Sequence, residues 1–106
     1  MGTNFISSPG RFIPVAEAKE LTARYRAEHP DAVRAELFSA ELLQQLLSRG
    51  TAIRIYYGQQ DTNPQLLLVA VDAEGRDILP TSDTDGVLAF GQPCPTICDP
   101  TSALNG

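Results

Sequence analysis

The sequence contains few of the residues that usually carry chemistry. Among 106 residues there is no tryptophan, one methionine, one histidine and two cysteines. A structural zinc ion normally needs four ligands, and the soft donors of one chain are Cys94, Cys98 and His29, with Asp99 as a fourth. We therefore expect no metal and no cofactor. Cys94 and Cys98 are weak metal candidates, and a complete zinc site would be conceivable if two chains each contributed both cysteines.

Basic residues are also scarce. Eight Lys and Arg stand against thirteen Asp and Glu, for a net charge of −5. Because phosphate contacts dominate nucleic-acid affinity, this charge argues against DNA or RNA binding. Residues 61–106 contain one basic and seven acidic side chains. This half of the chain either meets a basic partner or keeps the protein soluble through its acidic turns.

Long hydrophobic runs are absent as well. No segment approaches the ~18 apolar residues of a membrane span, and the N-terminal "MGTNFISSPGRF" has no basic leader followed by an apolar stretch. The expectation is a soluble cytoplasmic protein without membrane contact. There is no Gly-rich phosphate loop and no G-x-S-x-G elbow, so an enzyme is the less favoured interpretation, and no catalytic or cofactor-binding residue is assigned.

Two amphipathic helices are predicted in the first half. Apolar or small residues recur at helical spacing in "PVAEAKELTARYRAEH", which Pro30 ends near His29. A second helix is predicted over "AELLQQLLSRG", with Ser39 as its N-cap and Gly50 as its C-cap. The intervening "DAVRAELF" is compatible with either a helical turn or an extended link.

The hydrophobic period then changes from helical to alternating. In "TAIRIYYG" the residues Ile53, Ile55 and Tyr57 point to one face and Arg54 and Tyr56 to the other, and "QLLLVAVD" is an apolar run of strand length. The seven residues "GQQDTNP" between them predict a polar loop of an antiparallel hairpin. "ILP" and "VLAF" are candidates for a third and a fourth strand.

The pattern predicts an α+β fold. Two N-terminal helices would pack on one face of a small, mainly antiparallel sheet of three to four strands. Leu66 to Val71 should be central in this sheet, because such an apolar run on an exposed edge invites aggregation. We expect a loose leader over residues 1–11, a single domain over 12–99 and a C-terminal tail over 100–106.

Three segments carry a resemblance. With "IRIYYG", "VAVDAEGRD" and the late "CPTIC", the chain resembles a group of small, uncharacterised bacterial single-domain proteins over roughly residues 12–99. The resemblance implies a single-domain architecture. It implies no activity and no catalytic residue.

The cysteines of "CPTICDP" leave several readings open. Their C-x-x-x-C spacing is one residue longer than that of thioredoxin-like sites, which disfavours a dithiol catalyst. A disulfide is geometrically feasible, although a reducing cytosol would usually keep it open. The favoured interpretation is that Cys94, Ile97 and Cys98 lie against the body of the protein as small apolar side chains.

Arg54 and Tyr56 are the candidate interface residues. They leave their strand on the face opposite Ile53 and Ile55, so they are either solvated or part of a contact surface. His29 is expected to pack at its helix end, four residues after Tyr25. The first functional hypothesis is a non-enzymatic protein that acts by protein–protein contact, with a homodimer as one option. The alternative is a thiol-dependent protein that uses Cys94 and Cys98 for metal binding or redox cycling.

Overall fold

The computed structural model describes residues 9–80 and 86–105. Their backbone contacts separate into two compact units. We call the unit built on Phe38–Gly91 the hairpin unit, and the unit built from Gly10–Leu37 and Gln92–Gly106 the disulfide unit. The predicted leader falls mostly outside the described residues, as does the polar stretch 81–85.

The hairpin unit consists of one helix and one long antiparallel hairpin. Helix α2 spans Ala40–Leu47, strand β2 spans Ala52–Gln60 and strand β3 spans Asn63–Val71. The strands pair without interruption from Ala52 opposite Val71 to Gln60 opposite Asn63. The predicted antiparallel hairpin is therefore confirmed.

The predicted seven-residue loop is wrong. The polar residues of "GQQDTNP" continue both strands, and only Asp61 and Thr62 lie between them. Asp61 adopts a positive φ of 54°, a conformation that Asp tolerates better than most residues and that tight hairpin turns require. Hydrogen bonding between the two backbones therefore stabilises strand structure here, although the polar side chains are typical of a loop.

Strand β3 has neighbours on both sides. Opposite β2, the backbone groups of Leu68 and Leu88 exchange two hydrogen bonds of 2.9 Å, and the N–H of Ile78 donates to Ala70 O at 2.8 Å. Leu68 and Ala70 thus have bonded neighbours beyond β3, but the sheet of the described chain consists of β2 and β3 alone, so the central position predicted for Leu66–Val71 is met only in part. The third and fourth strands, however, shorten to isolated bridges in the described chain. Pro80 lacks the N–H that would extend the first of them.

Helix α2 packs on this hairpin. The Ser39 hydroxyl accepts a hydrogen bond from Leu42 N–H at 3.2 Å, which confirms the predicted N-cap. Leu46, Leu68 and Ala70 form the centre of the core. Ile53 and the other partly buried apolar residues of the unit surround them: Phe38, Leu43, Leu66, Ile78 and Leu88.

Gly50 is not the C-cap of α2. The helix ends at Leu47 with Ser48 as its C-cap. A Cβ added at Gly50 would lie 2.5 Å from the carbonyl oxygen of Val71. Glycine is therefore required where the chain passes close to the end of β3.

The disulfide unit contains the first helix and a short sheet. Helix α1 spans Val15–Glu28, strand β1 spans Ala35–Leu37 and strand β4 spans Gln92–Cys94. The two strands are antiparallel, with Ala35 opposite Cys94. The ambiguous "DAVRAELF" thus contributes a strand.

The predicted packing of two helices on one sheet is therefore corrected. The described chain has two two-stranded sheets, and α1 and α2 belong to different units. Helix α1 has no buried residue, and its large apolar side chains Val15, Leu21 and Tyr25 are exposed. The coarser prediction of an α+β mixture is confirmed.

Candidate functional site

A tight turn after β3 places an acidic side chain where it can contact side chains of β2. The Asp72 carboxylate accepts hydrogen bonds from the backbone N–H groups of Glu74 at 2.9 Å and Arg76 at 3.0 Å. Gly75 supplies a φ of +86°. These hydrogen bonds, above all the one from Arg76, lower the pKa of Asp72 below its ordinary 3.8. The turn returns the chain so that Asp77 lies opposite Val71.

Asp77 joins the two candidate interface residues. Arg54 Nη1 donates to one carboxylate oxygen of Asp77 and Tyr56 Oη donates to the other. Arg54 Nη2 also donates to Gly75 O at 3.2 Å. We call Arg54, Tyr56 and Asp77 the Asp77 cluster. Its two donors meet one acceptor, so the guanidinium charge is balanced within the chain.

The Asp77 cluster holds its phenol in the protonated form. The hydrogen bond to Asp77 is the main cause that raises the pKa of Tyr56 above its ordinary 10.0, with partial desolvation as a second cause. The same carboxylate raises the pKa of Arg54. At neutral pH the one phenol hydrogen of Tyr56 is donated to Asp77, so the cluster offers a partner the phenol oxygen as an acceptor and the remaining guanidinium N–H groups of Arg54 as donors.

Sequence reasoning placed Arg54 and Tyr56 on one face, but it missed Asp77. The signal was present in "VDAEGRDILP", because a tight turn followed by a strand beside β3 returns the next side chains to the same sheet. Two strand pairings are needed to place Asp77 near Arg54 and Tyr56. Asp77 lies opposite Val71 on one side of β3, and Arg54 and Tyr56 lie opposite Val69 and Leu67 on the other side of β3.

The backbone of β2 points alternately toward β3 and away from it. Leu68 and Ala70 bond to Leu88 and Ile78 on the far side of β3. The residues between them in β3 therefore bond to β2, and their partners in β2 include Arg54 and Tyr56. It follows that the intervening residues of β2 direct their N–H and C=O groups to the other edge: Ile53, Ile55, Tyr57 and Gln59.

This edge of β2 is open in the described part of the chain. Within the described residues, 9–80 and 86–105, β2 pairs with β3 alone. The strand is nine residues long and contains neither proline nor lysine, the residues that most often protect an exposed edge. Its one charged residue, Arg54, is bonded to Asp77. Ile55 and Tyr57, whose backbones face the edge, are 52% and 91% exposed.

Cys94 and Cys98 are joined by a disulfide with a Cα–Cα distance of 4.9 Å. The interpretation as two separate apolar side chains is therefore corrected, because the sulfurs are bonded to each other and neither is a thiolate. Cys94 is buried, but Ile97 is 57% exposed. In the residues that the structure covers, no group of three His, Cys, Asp or Glu side chains is arranged to hold a metal ion.

A cavity of about 660 Å³ lies within the disulfide unit. Its apolar walls include Leu21, Tyr25 and Leu104, with the disulfide beside them. Tyr25 also stacks on His29 with ring centroids 4.5 Å apart, as expected for a histidine at the end of the α1 stripe.

No family model, curated protein or solved structure matches this chain. The resemblance to small bacterial single-domain proteins accordingly stays a prediction. Among the described helices, none is both long and apolar enough to cross a membrane.

Proposed function

We propose that the protein is non-enzymatic and acts by protein–protein contact, with the open edge of β2 as its binding surface. The observation that supports this proposal is the unprotected nine-residue strand. An open edge accepts an added strand through main-chain hydrogen bonds, and side chains along the edge select the partner. Ile55 and Tyr57 provide apolar contacts, and Arg54 and Tyr56 provide polar ones on the opposite face.

A one-sided peptide probe tests this proposal. The probe is a nine-residue alternating threonine–valine peptide, N-methylated at every second residue so that only one of its edges can pair. It is added to ¹⁵N-labelled protein at a concentration where light scattering finds monomers. We expect amide shift changes centred on Ile53, Ile55, Tyr57 and Gln59. The same peptide methylated at every residue is the control and should cause none.

Two proline variants sharpen the test. Tyr57→Pro removes an N–H that faces the open edge, so the hairpin should remain folded while probe binding is lost. Tyr56→Pro removes an N–H that faces β3, so it should unfold the hairpin instead. Probe-induced shifts that lie elsewhere, or that persist in Tyr57→Pro, would contradict strand addition at β2.

A thiol-dependent function is the second candidate, and the Cys94–Cys98 disulfide is the observation that favours it. Free thiols and bound metal, measured on protein purified with and without reductant, test this second candidate. Bound metal, or a cysteine pair that cycles readily between dithiol and disulfide, would favour the thiol-dependent function. An unreactive cysteine pair without metal would contradict it.

A further inference from the structure

We propose that the strand added at the β2 edge is β2 of a second copy of this chain, antiparallel and related by a two-fold axis beside Tyr56. This inference rests on the proposed function and names its partner. The two hairpins would then form one continuous four-stranded antiparallel sheet. The argument comes from the backbone pattern, the exposed side chains and the charge of the strand.

The backbone pattern restricts the register. In an antiparallel pair, hydrogen bonds form only between residues whose backbone groups face the partner. In β2 these are the odd-numbered residues, so each must lie opposite an odd-numbered residue of the other copy. An axis beside Tyr56 meets this condition and places Ile55 of each copy opposite Tyr57 of the other.

This register buries the most exposed apolar side chains of the strand. Ile55 and Tyr57 stand on either side of Tyr56 and are 52% and 91% exposed. Pairs of an aromatic and a β-branched residue are favourable cross-strand neighbours. The symmetry forms this pair twice, so each exposed side chain of one copy is matched by one of the other.

Charge also permits the pairing. Arg54 is the single charged residue of β2 and is held by Asp77 of its own chain. In the proposed register it lies opposite Gly58 of the second copy, so no like charges meet across the strands. Each chain as a whole carries −5. Salt should therefore strengthen the dimer by screening the long-range repulsion, whereas it would weaken binding of a basic partner.

A cysteine at the axis tests the register directly. Residues 56 of the two copies form a pair without mutual hydrogen bonds, for which the Cα atoms lie about 4.5 Å apart, within the range of a disulfide. Mild oxidation of Tyr56→Cys should give a covalent dimer. Gln60→Cys is the matched control on the same strand, because its two copies would lie roughly 27 Å apart.

A charge swap tests the same register without oxidation. Ile55→Lys and Tyr57→Glu should each weaken dimerisation by about tenfold, because each disturbs both Ile–Tyr pairs. Mixing the two variants should restore association. In the mixed dimer one pair is lysine with glutamate and the other is the original Ile55 with Tyr57. Analytical ultracentrifugation of each variant and of the mixture measures the effect.

The outcomes separate this inference from the proposed function. Crosslinking of Tyr56→Cys but not of Gln60→Cys, together with rescue in the mixture, supports the symmetric dimer. A dimer without rescue overturns the register. A wild type that remains monomeric at all concentrations and salt levels overturns the second copy as partner. If such a monomer still binds the one-sided peptide at β2, the proposed function stands with a different protein as partner.

Discussion

The two units are stabilised by different means. The hairpin unit holds nearly all of the buried apolar residues of the described chain: Leu46, Leu68, Val69, Ala70 and Val71. In the disulfide unit, Cys94 alone is buried. Since apolar burial is the main stabilising term in folding, the hairpin unit is stabilised by a small conventional hydrophobic core. The disulfide unit must use other interactions.

Those interactions are covalent and polar. Besides the disulfide, Arg34 N–H donates to Cys94 O at 2.7 Å. Arg34 Nε donates to Asn105 Oδ1 at 2.9 Å, and Arg26 Nη1 donates to Leu104 O at 2.8 Å. The predicted C-terminal tail is thus tied back to its own unit. The comparison teaches that short segments with little to bury are held by a crosslink and by arginine hydrogen bonds.

The largest expected effect is on the hairpin core. Leu46→Ala should destabilise the protein by about 2–5 kcal/mol, because it leaves a cavity at a site that is 4% exposed. Leu21→Ala in the disulfide unit, at a site 48% exposed, is the matched control and should cost less than about 1 kcal/mol. Urea unfolding followed by circular dichroism measures both. Equal losses would contradict the distinction between the units.

The next effect concerns the crosslink. Replacing Cys94 and Cys98 by serine should cost roughly 2 kcal/mol on the loop-entropy model for so small a ring. The loss should be confined to the disulfide unit, so amide hydrogen exchange should accelerate at Arg34 and Ile97 but not at Leu68. Faster exchange at Leu68 would show that the disulfide also stabilises the hairpin.

A smaller effect is expected from acid at the turn before Asp77. Because folding lowers the pKa of Asp72, its contribution to stability is present above pH ~4 and declines as the pH falls through the folded pKa. Asp72→Asn keeps the acceptor oxygen but removes the charge. The stability difference between wild type and variant should therefore shrink toward zero in acid. A difference that does not depend on pH between 2 and 6 would contradict this account.

The smallest effect is expected at the Asp77 cluster. Tyr56→Phe removes one of two donors to Asp77 and leaves the Arg54–Asp77 ion pair, so the protein should fold with little loss of stability. Because folding raises the pKa of Tyr56, its contribution is present below pH ~10 and is lost as the pH rises through the folded pKa. An ultraviolet titration of the tyrosines measures this, and the phenol that ionises at the highest pH should be missing in Tyr56→Phe. If that phenol is still present in the variant, the raised pKa does not belong to Tyr56.

The sequence predicts what depends on local pattern. Helical spacing and a capping serine give α1 and α2, and the alternation around Arg54 gives the two faces of β2. The pairing of Ala35 with Cys94 could not be predicted, because it joins residues far apart in the chain and β4 contains a proline. The contact between Arg54 and Asp77 could not be predicted for the same reason. Around Asp61, backbone pairing of β2 with β3 extends both strands through residues that the local sequence pattern had assigned to a loop.

Residue-resolved amide hydrogen exchange of the wild type, in dilute and in concentrated solution, tests the central claim most directly. At low concentration the N–H groups of Arg54 and Tyr56 should be protected by β3, and those of Ile55 and Tyr57 should exchange freely. At high concentration Ile55 and Tyr57 should become protected. Protection of Ile55 and Tyr57 already in dilute monomer, or free exchange at every concentration, would contradict an open edge that pairs with a second copy.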